Sequence, residues 1–316
     1  MATYIVRRIL QAAVLVFIVA SLVAVLIHLL PGDPAYVIVG ERAEPERVAA
    51  VREGLGLDRP LWIQYLDWIT NTARGDLGTS LISKLSISSE LTKRLPRTLE
   101  LIIVSMVIST LAGIPAGVIA AVYRNRVPDI AVSLLALVGI STPVFVSGTL
   151  LLLLFGVKLH LIPATGYVSL VEDPIAHIQR MILPAVTLAL LEGAVILRMT
   201  RSSLLEVLGE DFVRTARAKG VSNRMVLLRH ALRNALIPVV TIIGLQTGNL
   251  LGGTVLVEYI FNWPGLSSYL IASINQRDYP VVQAIILVIA TLFVLLNLLT
   301  DVIYAVIDPR IRHGYH

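Results

Sequence analysis

The chain has no cysteine. That excludes disulfides, thiolate catalysis and cysteine-bound metals, and leaves the redox compartment open. Charge is sparse as well: Asp, Glu, Lys and Arg make up 15% of the 316 residues, against about 25% in a typical soluble domain. There is no Gly-Lys dipeptide, so no G-x-x-x-x-G-K-[ST] loop can cradle a nucleotide phosphate. No H-E-x-x-H occurs, and His28, His160, His177, His230, His313 and His316 show no metal-ligand spacing inside an apolar run. No G-x-S-x-G nucleophile turn is present. The chain is therefore expected to hold no catalytic set, no metal and no cofactor. The net charge of +5 is modest and dispersed, which argues against a nucleic-acid partner.

What the chain does have is apolar length. Hydrophobic residues make up 56% of it, and a bilayer core of roughly 30 Å needs about 20 of them as helix. Six stretches qualify, at about 9–30, 98–122, 130–156, 181–200, 234–257 and 281–307. The first is longer than a signal-peptide core and lacks an A-x-A-like cleavage site, so it reads as a retained span. The expected fold class is an all-α membrane protein of six transmembrane helices, with membrane lipid as its main solvent.

Orientation follows from Lys and Arg in short loops. One side holds Arg7, Arg8, Arg124, Arg126, a basic island at 201–233 with Arg198 just inside it, and Arg310 and Arg312. The other side's short loops hold only Lys158, Arg180 and Arg277. The segment 31–97 is long enough to escape the charge rule. The expected organisation is a first span over 1–30, an external insert over 31–97, a core over 98–307 with a cytosolic loop at 201–233, and a tail over 308–316, both termini being cytosolic. In the insert, 44–57 and 59–75 have helical patterns, and the Trp and Tyr of the second suit a membrane interface.

Several polar and small residues stand out within the spans. Gly244, Gly248 and Gly252 recur every four residues and define a helix-packing face. Gly113 and Gly117 repeat the pattern around Pro115. Gln246 and Asn249 lie near the first glycine face, able to bond across helices or line a water path. Glu192 sits in the middle of the fourth span, where an acid costs about 2.5–3.5 kcal/mol. It should face a cavity or a partner, either as a pathway or proton-relay residue or as a hydrogen-bonded structural acid. Pro115, Pro143, Pro184 and Pro238 should bend their helices unless neighbours compensate.

The island itself is DFVRTARAKGVSNRMVLLRHALRNALIP, residues 211–238. Asp211 is placed to cap a helix running through Lys219. Gly220 suits the position just past its end. Ser222 is placed to cap a second helix with an apolar stripe of Met225, Leu228, Leu232, Ala235 and Leu236. The result is a helix–turn–helix elbow with a basic, small-residue tip.

RTARAKG at 214–220, followed by RHALRNALIPVVT at 229–241, resembles the EAA coupling motif of ABC-transporter permeases. The dipeptide, oligopeptide and nickel branch of importers is the nearest likeness. Further matches include LPGDP at 30–34, GLDRPLWIQYLDWI at 56–69, GDLGTS at 75–80, LPRTLEL at 95–101, GGTVLVEYIFNWPGL at 252–266, RDYPVVQ at 277–283 and DPRIR at 308–312. The general motif's Glu-Ala-Ala is replaced by Arg214, Thr215 and Ala216, and Pro238 lies further from the glycine than the general motif's proline. Both departures are shared by the peptide branch, and they argue against an acidic docking contact.

The resemblance implies a type I ABC importer permease fold in a bacterial or archaeal cytoplasmic membrane. It implies a second related permease subunit, forming a heterodimer, two ATPase subunits that bind ATP and Mg, and an external substrate-binding protein. By position, Arg214, Thr215, Ala216, Arg217, Lys219 and Gly220 would contact the ATPase. Gly244, Gly248 and Gly252 would pack helices, and Glu192, Gln246 and Asn249 would line the pathway. The implied cargo is a di- or oligopeptide, with nickel, glutathione or a short saccharide as alternatives. A proton-coupled secondary transporter is the competing class, and it would have no use for the elbow.

Overall fold

The computed structural model describes residues 2–29, 34–40, 43–54, 56–163 and 165–307. Leu30 to Asp33 of the LPGDP motif and the whole 308–316 tail, with Arg310, Arg312, His313 and His316, lie outside the described residues. Among the described residues there is no strand, only one isolated bridge between Thr79 and Ser86. Among the described residues five helices are long and apolar enough to cross a membrane, or six if one bent pair is counted as a span.

The chain divides into two compact units, with divisions inside its second-span and last helices. The first unit joins the residues up to Thr98 with Pro264–Leu298. It contains helix α1 (Ala2–Leu29), the short helices α2 (Pro34–Val39), α3 (Pro45–Gly54) and α4 (Leu61–Ala73), the start of α5 (Ile87–Val122), α12 (Leu266–Asn275) and most of α13 (Tyr279–Ile307). Its core gathers Ile87 and Leu91 with Leu266, Val281, Ala284 and Ile285. Polar bonds fix the loops around that core. The buried carboxylate of Asp278 accepts the Ser80 hydroxyl and the Leu81 amide, and the Thr98 hydroxyl accepts the Leu266 amide at 2.8 Å.

Helix α5 begins at Ile87, so 87–97, the end of the expected insert, is helical and continuous with the second span. The hydropathy pattern misses these residues because Glu90, Lys93, Arg94 and Arg97 interrupt it. Lys93 and Arg94 pair with Glu90 at 2.9 and 3.4 Å, three and four residues apart on one helix face.

The second unit joins Leu99–Trp263 with the residues from Leu299 on. It holds the rest of α5, α6 (Val127–Ser141), α7 (Val144–Leu151) with its π-helical extension Leu152–Lys158, α8 (Pro174–Leu208), α9 (Asp211–Ala218), α10 (Asn223–Met225) with the π-helix Val226–Ala231, and α11 (Leu232–Ile260). Helix α8 starts at a strong local signal: the Asp173 carboxylate accepts the Ile175 and Ala176 amides at 3.0 Å, with Pro174 in the first turn.

Helix α8 is also the hub of this unit. Lipid tails are as apolar as leucine, so close packing has to supply helix association here. A β-carbon on Gly113 would fall 2.8 Å from the Gly193 carbonyl oxygen, and one on Gly117 would fall 2.7 Å from that of Leu197. Helices α5 and α8 therefore meet backbone to backbone at the Gly113–Gly117 pair. Gly139 of α6 approaches the Leu190 carbonyl in the same manner. Leucines such as Leu111 and Leu135 point outward, where a bilayer, unlike water, exacts no penalty.

The third apolar stretch is not one straight span. Helices α6 and α7 meet at 107°. The cause is Pro143: the residue before a proline avoids the helical region, and Thr142 is extended at φ −90, ψ 122. The other three prolines behave differently. Pro115, Pro184 and Pro238 all lie within continuous helices.

Candidate functional site

The elbow forms as a rigid, surface-facing piece. Helix α9 ends in a Schellman motif: the Gly220 amide donates to the Arg217 carbonyl at 2.9 Å, and the Val221 amide donates to the Ala216 carbonyl at 3.2 Å. Gly220 adopts φ +80, the left-handed conformation that glycine tolerates best. Val213 is fully buried and anchors the helix. Arg214, Thr215, Arg217, Lys219 and Gly220 are all exposed, and Ala216 is half-buried. The six residues therefore present a basic, small-residue surface with a fixed backbone.

Two cap assignments need correction. Helix α9 begins at Asp211 with Glu210 in the cap position, and no side chain caps it. The Asp211 carboxylate turns to Arg214 instead, at 3.4 Å, and its carbonyl accepts the Thr215 hydroxyl. Ser222 does occupy the cap position of α10, but its hydroxyl makes no cap bond.

The apolar stripe is also shifted. Met225 and Leu228 are exposed, whereas Val226, Ala231, Ala235 and Val239 are buried. The π-helix at Val226–Ala231 is the reason. Its i→i+5 bonding adds a residue to the turn, which moves the inward positions to steps of five and then four. Ala231 and Ala235 pack there with Leu204 of α8 and Ala121 of α5. The second arm of the elbow thus runs through α10 and the π turn into α11 as one continuous segment, Asn223–Ile260, which the turn after α9 precedes.

Higher in the same unit, Glu192, Gln246 and Asn249 come together. Gln246 donates from Nε2 to Glu192 Oε2 at 2.7 Å, and Asn249 donates from Nδ2 to Gln246 Oε1 at 3.0 Å. Glu192 is buried and Asn249 is exposed, so the chain of bonds leads from the interior of the α8–α11 contact to its surface. A carboxylate that accepts an amide proton is a satisfied acid, and the row of amides gives it a polar outlet.

The glycine face of α11 is split. Gly244 lies against Thr300, whose methyl would be 2.5 Å from an added β-carbon, and the Thr300 hydroxyl donates to the Gly244 carbonyl at 3.3 Å. Gly248 is buried. Gly252 is exposed, and among the described residues nothing lies within 4 Å of an added β-carbon. Four-residue spacing placed it on the face, but the contact with Thr300 reaches only Gly244.

Two buried polar contacts had no counterpart in the sequence reading. Arg201 of α8 grips Asp129 of α6 with both arms, Nε at 2.7 Å and Nη2 at 2.9 Å. The same carboxylate accepts the Asn125 amide at 2.9 Å. His177 is buried, with its ring nitrogens 2.7 Å from the Val168 carbonyl and 2.9 Å from the Glu100 carboxylate, and it meets Tyr167 and Trp263 edge-on. Each pair spans more than 70 residues of chain, so only Asp129 near a helix start and the aromatic run before Pro264 offered any local hint. Among the described residues no cluster of three His, Asp or Glu could hold a metal ion.

These helices and this elbow define a multi-span transport component, and comparison with known proteins says which. The family of inner membrane components of binding-protein-dependent transport systems matches residues 113–313, and the N-terminal module of such components matches residues 1–102. The chain belongs to this family: it is the permease subunit of an ABC importer, a multi-pass protein of the inner membrane. Over 313 residues it is 48% identical to the Glutathione transport system permease protein GsiC of Salmonella typhi and 47% identical to that of Escherichia coli K12, covering 99% of this chain and all of each relative. The crystal structure of an amino acid ABC transporter with histidines superposes with a TM-score of 0.52 at 17% identity, over 69% of this chain and 94% of the other. That likeness bears on the fold, which is of the type I importer kind.

Proposed function

We propose that this permease forms half of the translocation pathway for short peptides, with glutathione, itself a tripeptide, as the leading cargo. The observation that carries this reading is the end-to-end identity of 47–48% with permeases named for glutathione transport. In this reading both termini and the elbow face the cytosol, as the Lys and Arg distribution favours. A second related permease completes the pathway, and an external binding protein delivers cargo.

The elbow at Arg214–Gly220 is the surface for a separate ATPase subunit, which holds ATP and Mg. An exposed basic tip, joined through the turn at Gly220 to the helical segment that runs into α11, supports that role. Motion of the ATPase would reach Glu192 and Gln246 through α11 as a largely rigid-body displacement. These two residues, with Asn249, are the polar wall candidates of the pathway.

The test is reconstitution of the complex in vesicles with its binding protein. Uptake of labelled glutathione that needs internal ATP, and that falls sharply in Gly220→Asp, supports the reading. ATP-driven uptake of other cargo with no glutathione uptake would move the cargo assignment and leave the coupling intact. Uptake driven by a pH gradient without any ATPase would overturn both.

A further inference from the structure

His177 is a buried titratable group that the transport reading does not use. It lies in the first turn of α8 and is 1% exposed. Its ring is held from two sides: Nδ1 is 2.7 Å from the Val168 carbonyl, and Nε2 is 2.9 Å from Oε1 of Glu100 on α5. Tyr167 and Trp263 meet the ring edge-on, each with its centroid 5.7 Å away. The segment that carries Val168 is also tied at its start, where the Gly166 amide donates to the Phe261 carbonyl at 3.0 Å. The ring therefore joins three pieces of chain: α8, α5 and the 165–173 segment.

Donor and acceptor roles fix the protons. A carbonyl oxygen only accepts, so Nδ1 carries a hydrogen. In the neutral ring this leaves a lone pair on Nε2, and an ionised carboxylate also only accepts. Neutral His177 and ionised Glu100 would set two lone pairs against each other across 2.9 Å. One proton between them makes the contact a hydrogen bond, whether the ring or the carboxyl carries it. The Glu100 side chain is 28% exposed, so water reaches the pair through the carboxyl and not through the ring. Of the other charged groups on these elements, Arg97 of α5 donates to the Pro264 carbonyl at 3.4 Å. On α8, Asp173 accepts the Ile175 and Ala176 amides, and Arg180 donates to the Thr165 carbonyl at 2.8 Å. Tyr167 presents its ring, and Glu258 near the end of α11 is fully buried.

We propose that His177 and Glu100 share one proton, and that this proton clasps the 165–173 segment to α5 and α8. With the proton in place the clasp is closed. Its loss turns a bond into opposed acceptors, and the segment comes free. The clasp's contribution to local stability is present at lower pH and is lost as pH rises and the pair, titrating as a unit, gives up the proton. The face of the membrane on which the clasp sits follows the orientation proposed above, but its proton does not depend on that orientation.

Hydrogen exchange tests the clasp in the assembled importer in lipid nanodiscs, where both faces see one pH. The Gly166, Glu172 and Asp173 amides are all bonded within or at the edge of the segment. Their protection, corrected for the intrinsic exchange rate, should fall several-fold between about pH 5 and about pH 8, the range in which histidine acts as a switch. In Glu100→Gln it should stay high at both ends, because the side-chain amide donates to a neutral ring and its carbonyl accepts from a charged one. Protection in the native chain that does not change with pH would overturn the proposal. An equal fall in Glu100→Gln would overturn it too, since the sensitive group would then lie elsewhere. Nitrogen NMR of isotope-labelled histidine gives a second reading on the native chain, with His177→Gln assigning the signals. Nδ1 should stay protonated across the range while Nε2 loses its proton as pH rises, and a ring in which Nδ1 deprotonates instead would contradict the clasp. These readings need neither ATP nor cargo, so they are separate from any failure of the transport assignment.

Discussion

Gln246 donates its side-chain amide to the buried carboxylate of Glu192 at 2.7 Å, joining α11 to α8 in the interior of the second unit. The bond ties the helix that continues from the elbow to the helix that organises the fold. If it matters energetically, the two residues are not independent. A double-mutant cycle of Glu192→Gln and Gln246→Leu, read by thermal unfolding of the purified complex, should give a coupling of about 0.6–1.7 kcal/mol, the range for hydrogen bonds between membrane helices. Glu192→Gln alone should slow transport while leaving the ATPase bound. A coupling energy of zero with normal transport would remove the pair from the mechanism.

The Asp129–Arg201 pair joins a buried carboxylate to a guanidinium that is 30% exposed. Arg201→Leu leaves the Asp129 carboxylate buried beside one backbone amide and one hydroxyl. It should destabilise the protein by about 1–3 kcal/mol, the cost of leaving a buried group without its partner. The double replacement Asp129→Leu with Arg201→Leu should be milder than the single, because no uncompensated charge remains. Differential scanning fluorimetry in detergent distinguishes the two orders.

Glycine substitutions should separate true close approaches from sequence spacing alone. Gly117→Ala would set a methyl 2.6 Å from the Thr200 β-carbon, and should cost about 1–3 kcal/mol through overpacking. Gly252→Ala meets no described atom within 4 Å, so it should leave the stability of the isolated subunit unchanged. Comparable losses from both would mean that α5 and α8 do not approach as described.

The elbow's turn should be sensitive to its backbone and not to lost contacts. Gly220→Ala adds a methyl with no neighbour within 4 Å at φ +80. The left-handed conformation costs a non-glycine residue about 1–2 kcal/mol. Hydrogen exchange should therefore accelerate at the Gly220 and Val221 amides, which close the Schellman motif. Unchanged protection there would mean that glycine is not required for the turn.

Local signals and long-range partners differed in how legible they were. The elbow could be read because its glycine, its polar tip and its run into an apolar stretch are all neighbours in sequence. The spans could be read because apolar length has one dominant meaning. The break at Pro143 could not be separated from the unbroken helices at Pro115, Pro184 and Pro238, since the outcome depends on whether surrounding helices supply the lost bond. The stripe fell on Met225 and Leu228 because a regular period was assumed, and the π turn moved it to Val226 and Ala231. Glu192 was marked as needing company, but nothing near it in sequence named Gln246, 54 residues away. For the same reason Arg201 looked like an ordinary loop charge until folding brought Asp129 to it.

The central claim is that the Arg214–Gly220 tip is where force enters this permease. Cross-linking tests it most directly. The chain is naturally free of cysteine, so Arg217→Cys places one reactive thiol on the exposed tip of α9, and a short homobifunctional reagent is applied to the assembled importer carrying a cysteine-scanned ATPase surface. The account predicts a specific cross-link from position 217 to the ATPase, altered in yield by ATP, with none from a control thiol at exposed Asn71. An assembled, transporting complex in which position 217 never cross-links to the ATPase, while other cytosolic positions do, would contradict it.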